Sequence, residues 1–302
     1  MITTPITLFT YARPDHVRRT VEALLQNYQA ASHDLIVFSD SARSHEKQSA
    51  VEMVRTYLGT ISGFRSVTIH HRPHNFGLAK SIIDGVTHVL SEHERIIVLE
   101  DDMVTSPHFL AYMNKALDRF MDDERVISIH GYVYPVRQAL PEAFFLPGAD
   151  CWGWATWRRG WKLFNPDGQA LMDELKHRDL IKAFDFNDSY GYSKMLEGQI
   201  NGINDSWAVR WYASAFLAGK LTLYPGRSLV HNIGNDSSGT HCGDNTSHDV
   251  KLSTTPIDLS TVSVSSSAIG RVAFEAYFRK AKGSFVSKLA SGIKKTFSRV
   301  IA

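Results

Sequence analysis

Short apolar runs and helical apolar stripes alternate through the first half of the chain. "ITLFTY" is followed by a segment from Pro14 in which Val17, Val21, Leu24 and Tyr28 recur on one helical face. "DLIVFSD" precedes a helix near Glu46 to Leu58, "SVTIHH" precedes a stripe of Leu78, Ile82, Val86 and Val89, and "RIIVL" closes the series. Pro14 suits a first helical turn, and Ser106 before Pro107 predicts an N-cap for a helix carrying Leu110, Met113, Leu117 and Phe120. The alternation predicts βαβ units and an α/β domain with a mainly parallel sheet flanked by helices. Ligands of such sheets bind beyond the carboxyl ends of the strands. Thr10, Asp40 and the consecutive acids Glu100, Asp101 and Asp102 all fall there.

From Val126 to about Cys242 the chain is richer in aromatics and glycine and alternates less regularly, through "DCWGWATWRRGW", "GYSKMLEGQI", "NDSWAVRWYASAFLAG" and "KLTLYPGRSLVHNIG". This half reads as a continuation of one domain over residues 1–250, with 1–125 as a nucleotide-binding half and 126–250 as an acceptor half. Residues 251–270, rich in Ser and Thr without a period, predict a linker, and 271–302 a tail.

At 302 residues, 43% hydrophobic and 21% charged, the chain has the composition of a soluble globular protein able to bury a core. No apolar run approaches a membrane span and the N-terminus lacks a basic leader, which predicts a cytoplasmic protein. Cys151 and Cys242 are too few for a disulfide framework and are expected to be reduced. The net charge of +2 hides an asymmetry, because the basic excess is concentrated after residue 270. There Val286, Leu289, Ile293, Phe297 and Val300 fall at helical spacing, with Lys288, Lys294, Lys295 and Arg299 largely elsewhere. That pattern predicts a basic amphipathic C-terminal helix lying on an anionic membrane surface, and so a peripheral location on the inner face of the cell membrane. No nucleic-acid partner is expected.

The acids raise the sharpest question, since adjacent carboxylates at the end of a buried strand repel one another unless a positive charge lies among them. A divalent cation bridging them to an anionic ligand would supply it, because Mg²⁺ and Mn²⁺ prefer oxygen donors and keep positions for phosphates. Just upstream, "HNFGLAKSI" offers Gly77 for close backbone approach and a helix start with Lys80 for phosphate.

Taken together, "TYAR", "SD", "NFGLAKSI", "LEDD", "DSWAVRW" and "HNIGNDSSGTHC" resemble, over roughly residues 4–245, the GT-A glycosyltransferases. The likeness is to family 2-like bacterial enzymes and, at the acids, to the N-acetylglucosaminyltransferase I group. The chain lacks the Q-x-x-R-W segment and membrane helices of processive synthases, which favours addition of single sugars. The resemblance implies a GT-A (Rossmann-like) fold and a metal-dependent inverting transfer, with Mn²⁺ or Mg²⁺, from a nucleotide-sugar donor, UDP-linked by resemblance. The implied acceptor is a glycan or lipid-linked glycan in surface polysaccharide synthesis. Thr10, Tyr11 and Arg13 would border the nucleoside, Asp40 would meet the base, and Asn75, Gly77 and Lys80 would line the nucleotide-sugar site. Asp102 would contact the metal, with His231 as a second ligand and His241 as a further candidate for metal or diphosphate; Glu100 and Asp101 would hold ribose or donor sugar. An inverting transfer also needs a carboxylate to take the acceptor proton, and Asp205 is the choice, with Asp150 in reserve. Trp152 and Trp154 are the expected sugar contacts. Two other readings remain open: a sugar nucleotidyltransferase, against which the glycine-free "TYARPD" counts, and a non-catalytic nucleotide-sugar-binding module.

Overall fold

A computed structural model describes residues 3–236 and 246–282. Cys242, His241 and the amphipathic stretch from residue 283 lie outside the described residues. The first half runs β1 (Ile6–Thr10), α1 (Pro14–Leu25), β2 (Asp34–Ser39), α2 (His45–Leu58), β3 (Ser66–His71), α3 (Leu78–Glu92), β4 (Arg95–Glu100), β5 (Met103–Thr105) and α4 (Phe109–Arg119). The second runs β6 (Val126–His130), β7 (Ala143–Pro147), β8 (Trp154–Trp157), α5 (Arg158–Trp161), α6 (Gly168–His177), α7 (Ile181–Phe184), α8 (Tyr192–Ile200), α9 (Trp207–Leu217), β9 (Leu221–Pro225) and β10 (Val230–Asn232).

The main sheet has the order β3-β2-β1-β4-β8-β6-β9-β7. The strand pairs β1–β2, β2–β3, β1–β4 and β6–β9 are parallel, while β8 pairs antiparallel with both β4 and β6, and β7 antiparallel with β9. The sheet is therefore mainly parallel with β7 and β8 reversed, a GT-A-like Rossmann arrangement. β1 and β4 lie at its centre, which is why "ITLFT" and "RIIVL" are largely apolar and buried along their length. β3, at the edge, is only partly buried. One apolar layer sits under α1, α2 and α4 and the other under α3 and α9, so both faces of the sheet are covered. A third cluster joins α6, α8 and α9 to Phe274 and Phe278 of a helix over residues 268–282. The Ser/Thr-rich segment that precedes this helix lies on the domain, with Ile257 and Leu259 buried and Ser266 bridging Phe145 of β7.

Three local expectations shift. Tyr28 is 78% exposed because α1 stops at Leu25. α4 begins at Phe109, and Ser106, expected as its N-cap, instead accepts from the His108 amide at 3.2 Å and donates to the Ser253 carbonyl. Trp154 is not a sugar contact: it is 1% exposed, inside a cluster with Trp161, Trp207 and Trp211 at centroid separations of 5.6 to 5.9 Å. As the first residue of β8 it projects into the layer between the sheet and α9, where an indole fills space that no ligand reaches. Trp154→Ala should cost about 3–5 kcal/mol, the usual penalty for emptying a large aromatic site in a core. Urea unfolding followed by circular dichroism will measure it.

Candidate functional site

β1 and β4 are neighbours with Phe9 opposite Glu100, so the loop after β1 necessarily meets the acids after β4. The positive charge among them is Arg13. Its guanidinium donates to Asp101 and, at 2.8 Å, to Asp102 Oδ2. Around this pair the Tyr11 amide donates to Asp101 Oδ2 at 3.3 Å, and the Thr20 hydroxyl donates to the Asp101 carbonyl at 2.8 Å. Burial alone would lower the Arg13 pKa, but the charges and hydrogen bonds of Asp101 and Asp102 outweigh it and raise it. Glu100 keeps some open surface, yet desolvation of its carboxyl, followed by the charges of Asp102 and Asp101, pushes its pKa up to about 8. Burial raises Asp101 as well, against the pull of Arg13. The repulsion is thus relieved in two ways, by the guanidinium and by a proton retained on Glu100 near neutrality.

Asp102 has one further property. Its Oδ2 faces Arg13, whereas its Oδ1 is buried without a hydrogen-bond partner among the described residues. A buried carboxylate oxygen left unpaired is costly, and a hard cation is the ligand that would satisfy it. The far wall comes from the C-terminal side of the domain. β10 pairs antiparallel with β5, the Ile233 amide donates to the Asp102 carbonyl at 2.9 Å, and Gly234 packs so closely that a Cβ there would lie 2.1 Å from Asp102 Oδ2. His231, on β10, accepts from the Val250 amide at 3.4 Å through Nδ1. No group of three or more His, Cys, Asp or Glu suited to a metal occurs among the described residues, so His231 is not brought together with the acids as a ligand cluster.

The second loop is built around Asp40. Its carboxylate accepts from the amides of Ser41 (2.9 Å), Phe76 (2.8 Å) and Gly77 (3.0 Å) and from the Asn75 side chain (3.0 Å). Those bonds make Asp40 the anchor of the 75–77 loop and leave its oxygens little capacity for a base. Gly77 has φ of +73° in open space, so glycine is needed there for backbone conformation rather than for room. Lys80 is exposed on the first turn of α3 with Nζ 4.7 Å from the Phe76 ring. Thr10 is buried at the end of β1 with its hydroxyl unpartnered, and the Tyr11 hydroxyl accepts from the Arg43 amide at 3.0 Å.

Asp205 lies two positions before α9, and Ser206 between them performs the capping, its hydroxyl accepting from the Val209 amide at 3.2 Å. The Asp205 side chain is 73% exposed, accepts from Arg210 at 3.0 Å, and lines an open cleft of about 640 Å³ shared with Lys80, Asp84 and His88. Among the described residues no hydrogen bond or ion pair joins it to Glu100, Asp101 or Asp102. Asp150 lies nearer to them. The adjoining Cys151 thiol is raised first by burial and then by the charges of Asp150, Glu100 and Asp102 together. Trp152 is half-buried, with its ring edge-on to Tyr132 at 4.7 Å and to His248 at 5.6 Å. Two residues beside Asp150 were not anticipated: His130 and Tyr224, which end or nearly end β6 and β9. The strand-end rule that found the acids, applied to "VISIH" and "LTLYP", would have found both.

Removing the cation from this arrangement should be expensive. Arg13→Gln leaves two neighbouring carboxylates facing each other, and we expect a loss of about 3 kcal/mol in chemical denaturation, the lower end of the range for breaking a buried ion pair because solvent reaches one edge of the guanidinium. Arg13→Lys should recover only part of it, since an ammonium cannot span both carboxylates as a planar fork does.

No curated protein matches the sequence. Among solved structures, a mannosyltransferase from Pyrobaculum calidifontis in complex with GDP-Man and Mn²⁺ is similar at 16% identity and a TM-score of 0.38, over 54% of this chain and 46% of that one. S. aureus TarS 1–349 in complex with UDP is similar at 11% identity and a TM-score of 0.34, over 58% and 49%. UDP-glucose pyrophosphorylase complexed with UDP-glucose is similar at 12% identity and a TM-score of 0.31, over 54% and 81%. The alignments with the first two span about half of those chains. By sequence, residues 6–147 match the family described as Glycosyl transferase family 2. Arg13 and the three acids lie within that match.

Proposed function

We propose that this protein is a metal-dependent inverting glycosyltransferase that moves one hexosyl or N-acetylhexosaminyl unit from a UDP-linked sugar to a hydroxyl of a glycan or lipid-linked glycan in surface polysaccharide synthesis. The observation that carries the reading is the unpartnered Asp102 oxygen beside Arg13 at the strand ends, inside the family 2 match. Mn²⁺ or Mg²⁺ fits that oxygen, because such ions need few protein carboxylates when a diphosphate supplies further donors. Bound there, the ion would offset the charge that develops on the departing diphosphate.

The chain's own residues supply the rest. Thr10 and Tyr11 border the nucleoside, and Tyr11 is fixed by the hydrogen bond that its backbone amide donates to Asp101. Glu100 holds a donor-sugar or ribose oxygen while Asp101 stays engaged with Arg13. Asp40, through Asn75 and Gly77, sets the loop that leads to Lys80, a cation for the diphosphate. Asp205 takes the proton of the attacking hydroxyl; Ser206 caps α9 in its place, and Arg210 orients its carboxylate. In-line attack from the face opposite the diphosphate inverts the anomeric centre.

Asp102→Asn should abolish Mn²⁺- or Mg²⁺-dependent turnover of UDP-sugars with the fold intact by circular dichroism; undiminished turnover, or full wild-type activity in EDTA, overturns the metal role. Asp205→Asn should keep donor affinity within a few-fold and lose on the order of 10² in kcat, the scale of a missing general base. An equal fall in donor binding would make Asp205 a donor ligand. Retention of the donor's anomeric configuration in the product, read by proton NMR, would refute inversion.

A further inference from the structure

The helix over residues 268–282 is held to the domain along one side and cannot roll. Phe274 and Phe278 are buried in the third apolar cluster, and Gly270 lies so close to Phe144 that a Cβ there would stand 2.5 Å from its ring. Arg271 stacks on Phe186 at 4.1 Å and donates to the Ala183 carbonyl at 2.7 Å. Glu275, also buried, accepts from the Asn187 side chain at 2.6 Å and from Arg271 at 2.9 Å, and pairs with Arg279 at 3.1 Å. Whatever the opposite side carries is therefore presented outward by the fold.

That side carries Ile269 and Val272, 58% and 60% exposed, with Ala276 and Lys280 following at i+7 and i+11 on the same helical face. Single exposed apolar side chains are ordinary on a protein surface, and Tyr28, Met53, Leu78, Met121, Leu163 and Ile203 each stand on a different element or connection. An aliphatic pair one turn apart, on a helix fixed against the domain, is a different case. Toward the end of the helix the exposed residues are the cations Arg279, Lys280 and Lys282, and its one acid, Glu275, is already shared by two arginines. The sequence that follows, residues 283–302, adds Lys288, Lys294, Lys295 and Arg299 without an acid.

We propose that the outward face of this helix docks on an anionic membrane surface, Ile269 and Val272 entering the acyl boundary while Lys280 and Lys282 meet lipid phosphates. Aliphatic side chains and lysines along one face suit that interface, and the basic excess after residue 282 strengthens the attraction. The amphipathic stretch expected on a membrane begins at residue 283; this docking face lies before it, on the folded domain. A second copy of the chain fits worse, because a two-fold contact through the face would bring the lysines of both copies into one interface. Nucleic acid fits worse too, since aliphatic side chains stand where a base would need a stacking ring. Docking of this kind does not depend on the glycosyltransferase reading.

The test mixes the full chain with phosphatidylcholine vesicles, with and without phosphatidylglycerol, and measures co-sedimentation. Binding to the anionic vesicles should exceed binding to the neutral ones by about tenfold or more and fall in high salt. Ile269→Ser with Val272→Ser, two exposed changes that should leave the melting temperature where it was, should weaken binding about tenfold, the loss expected when two inserted aliphatic side chains are removed. Lys280→Glu with Lys282→Glu should weaken it at least as much. Equal pelleting with both vesicle types, or no pelleting with either, overturns the proposal on the wild type alone. Unchanged binding of the folded Ile269→Ser, Val272→Ser protein would assign membrane contact to residues after 282 and overturn it as well. A dimer in sedimentation equilibrium, or binding of polyuridylate RNA, that is lost in the same variant would give the face to another occupant and likewise overturn it.

Discussion

The contact on which this strand-end face depends is the one between Arg13 and the carboxylates of Asp101 and Asp102. Without it the end of β4 would place mutually repelling charges in a desolvated setting, and the interior strand behind them would pay for it in stability. With it, two neighbouring strands are tied at their carboxyl ends by a pair that also fixes the first turn of α1, because Arg13 is the residue from which that helix starts. The loop amide of Tyr11 and the hydroxyl of Thr20 fasten the same turn from both sides. Electrostatics and backbone geometry therefore specify one arrangement.

The first half of the fold was legible because its signals are local. Interior parallel strands are apolar throughout and their helices carry one stripe. The second half was not, because its defining event is long-range: β8 inserts antiparallel between β4 and β6, and nothing within "WATW" announces a partner on either side. The same limit explains the tryptophans. Trp152 and Trp154 are nearly identical in local sequence, and only the position of β8 against α9 decides that one meets the surface and the other the core.

Individual polar residues were legible in kind but not in employment. Asp40 was recognisable as a strand-end acid, yet whether its oxygens are free depends on amides more than thirty positions away in the chain. "NDS" before α9 offers several capping side chains, and it is Ser206 whose hydroxyl accepts from the Val209 amide. The positive charge sought among the acids was sitting in "TYAR" all along, but reading it as their partner requires knowing that β1 and β4 are neighbours.

The β5–β10 ribbon brings residues from the far end of the domain onto a strand more than a hundred positions earlier in the chain. The closest packing against Asp102, at Gly234, cannot form until nearly the whole domain has left the ribosome. Pairings of such sequence separation close late, after local helices and the β1–β4 core have condensed. A nascent chain can thus hold β1 and β4 in near-final form while its acid cluster still lacks a wall.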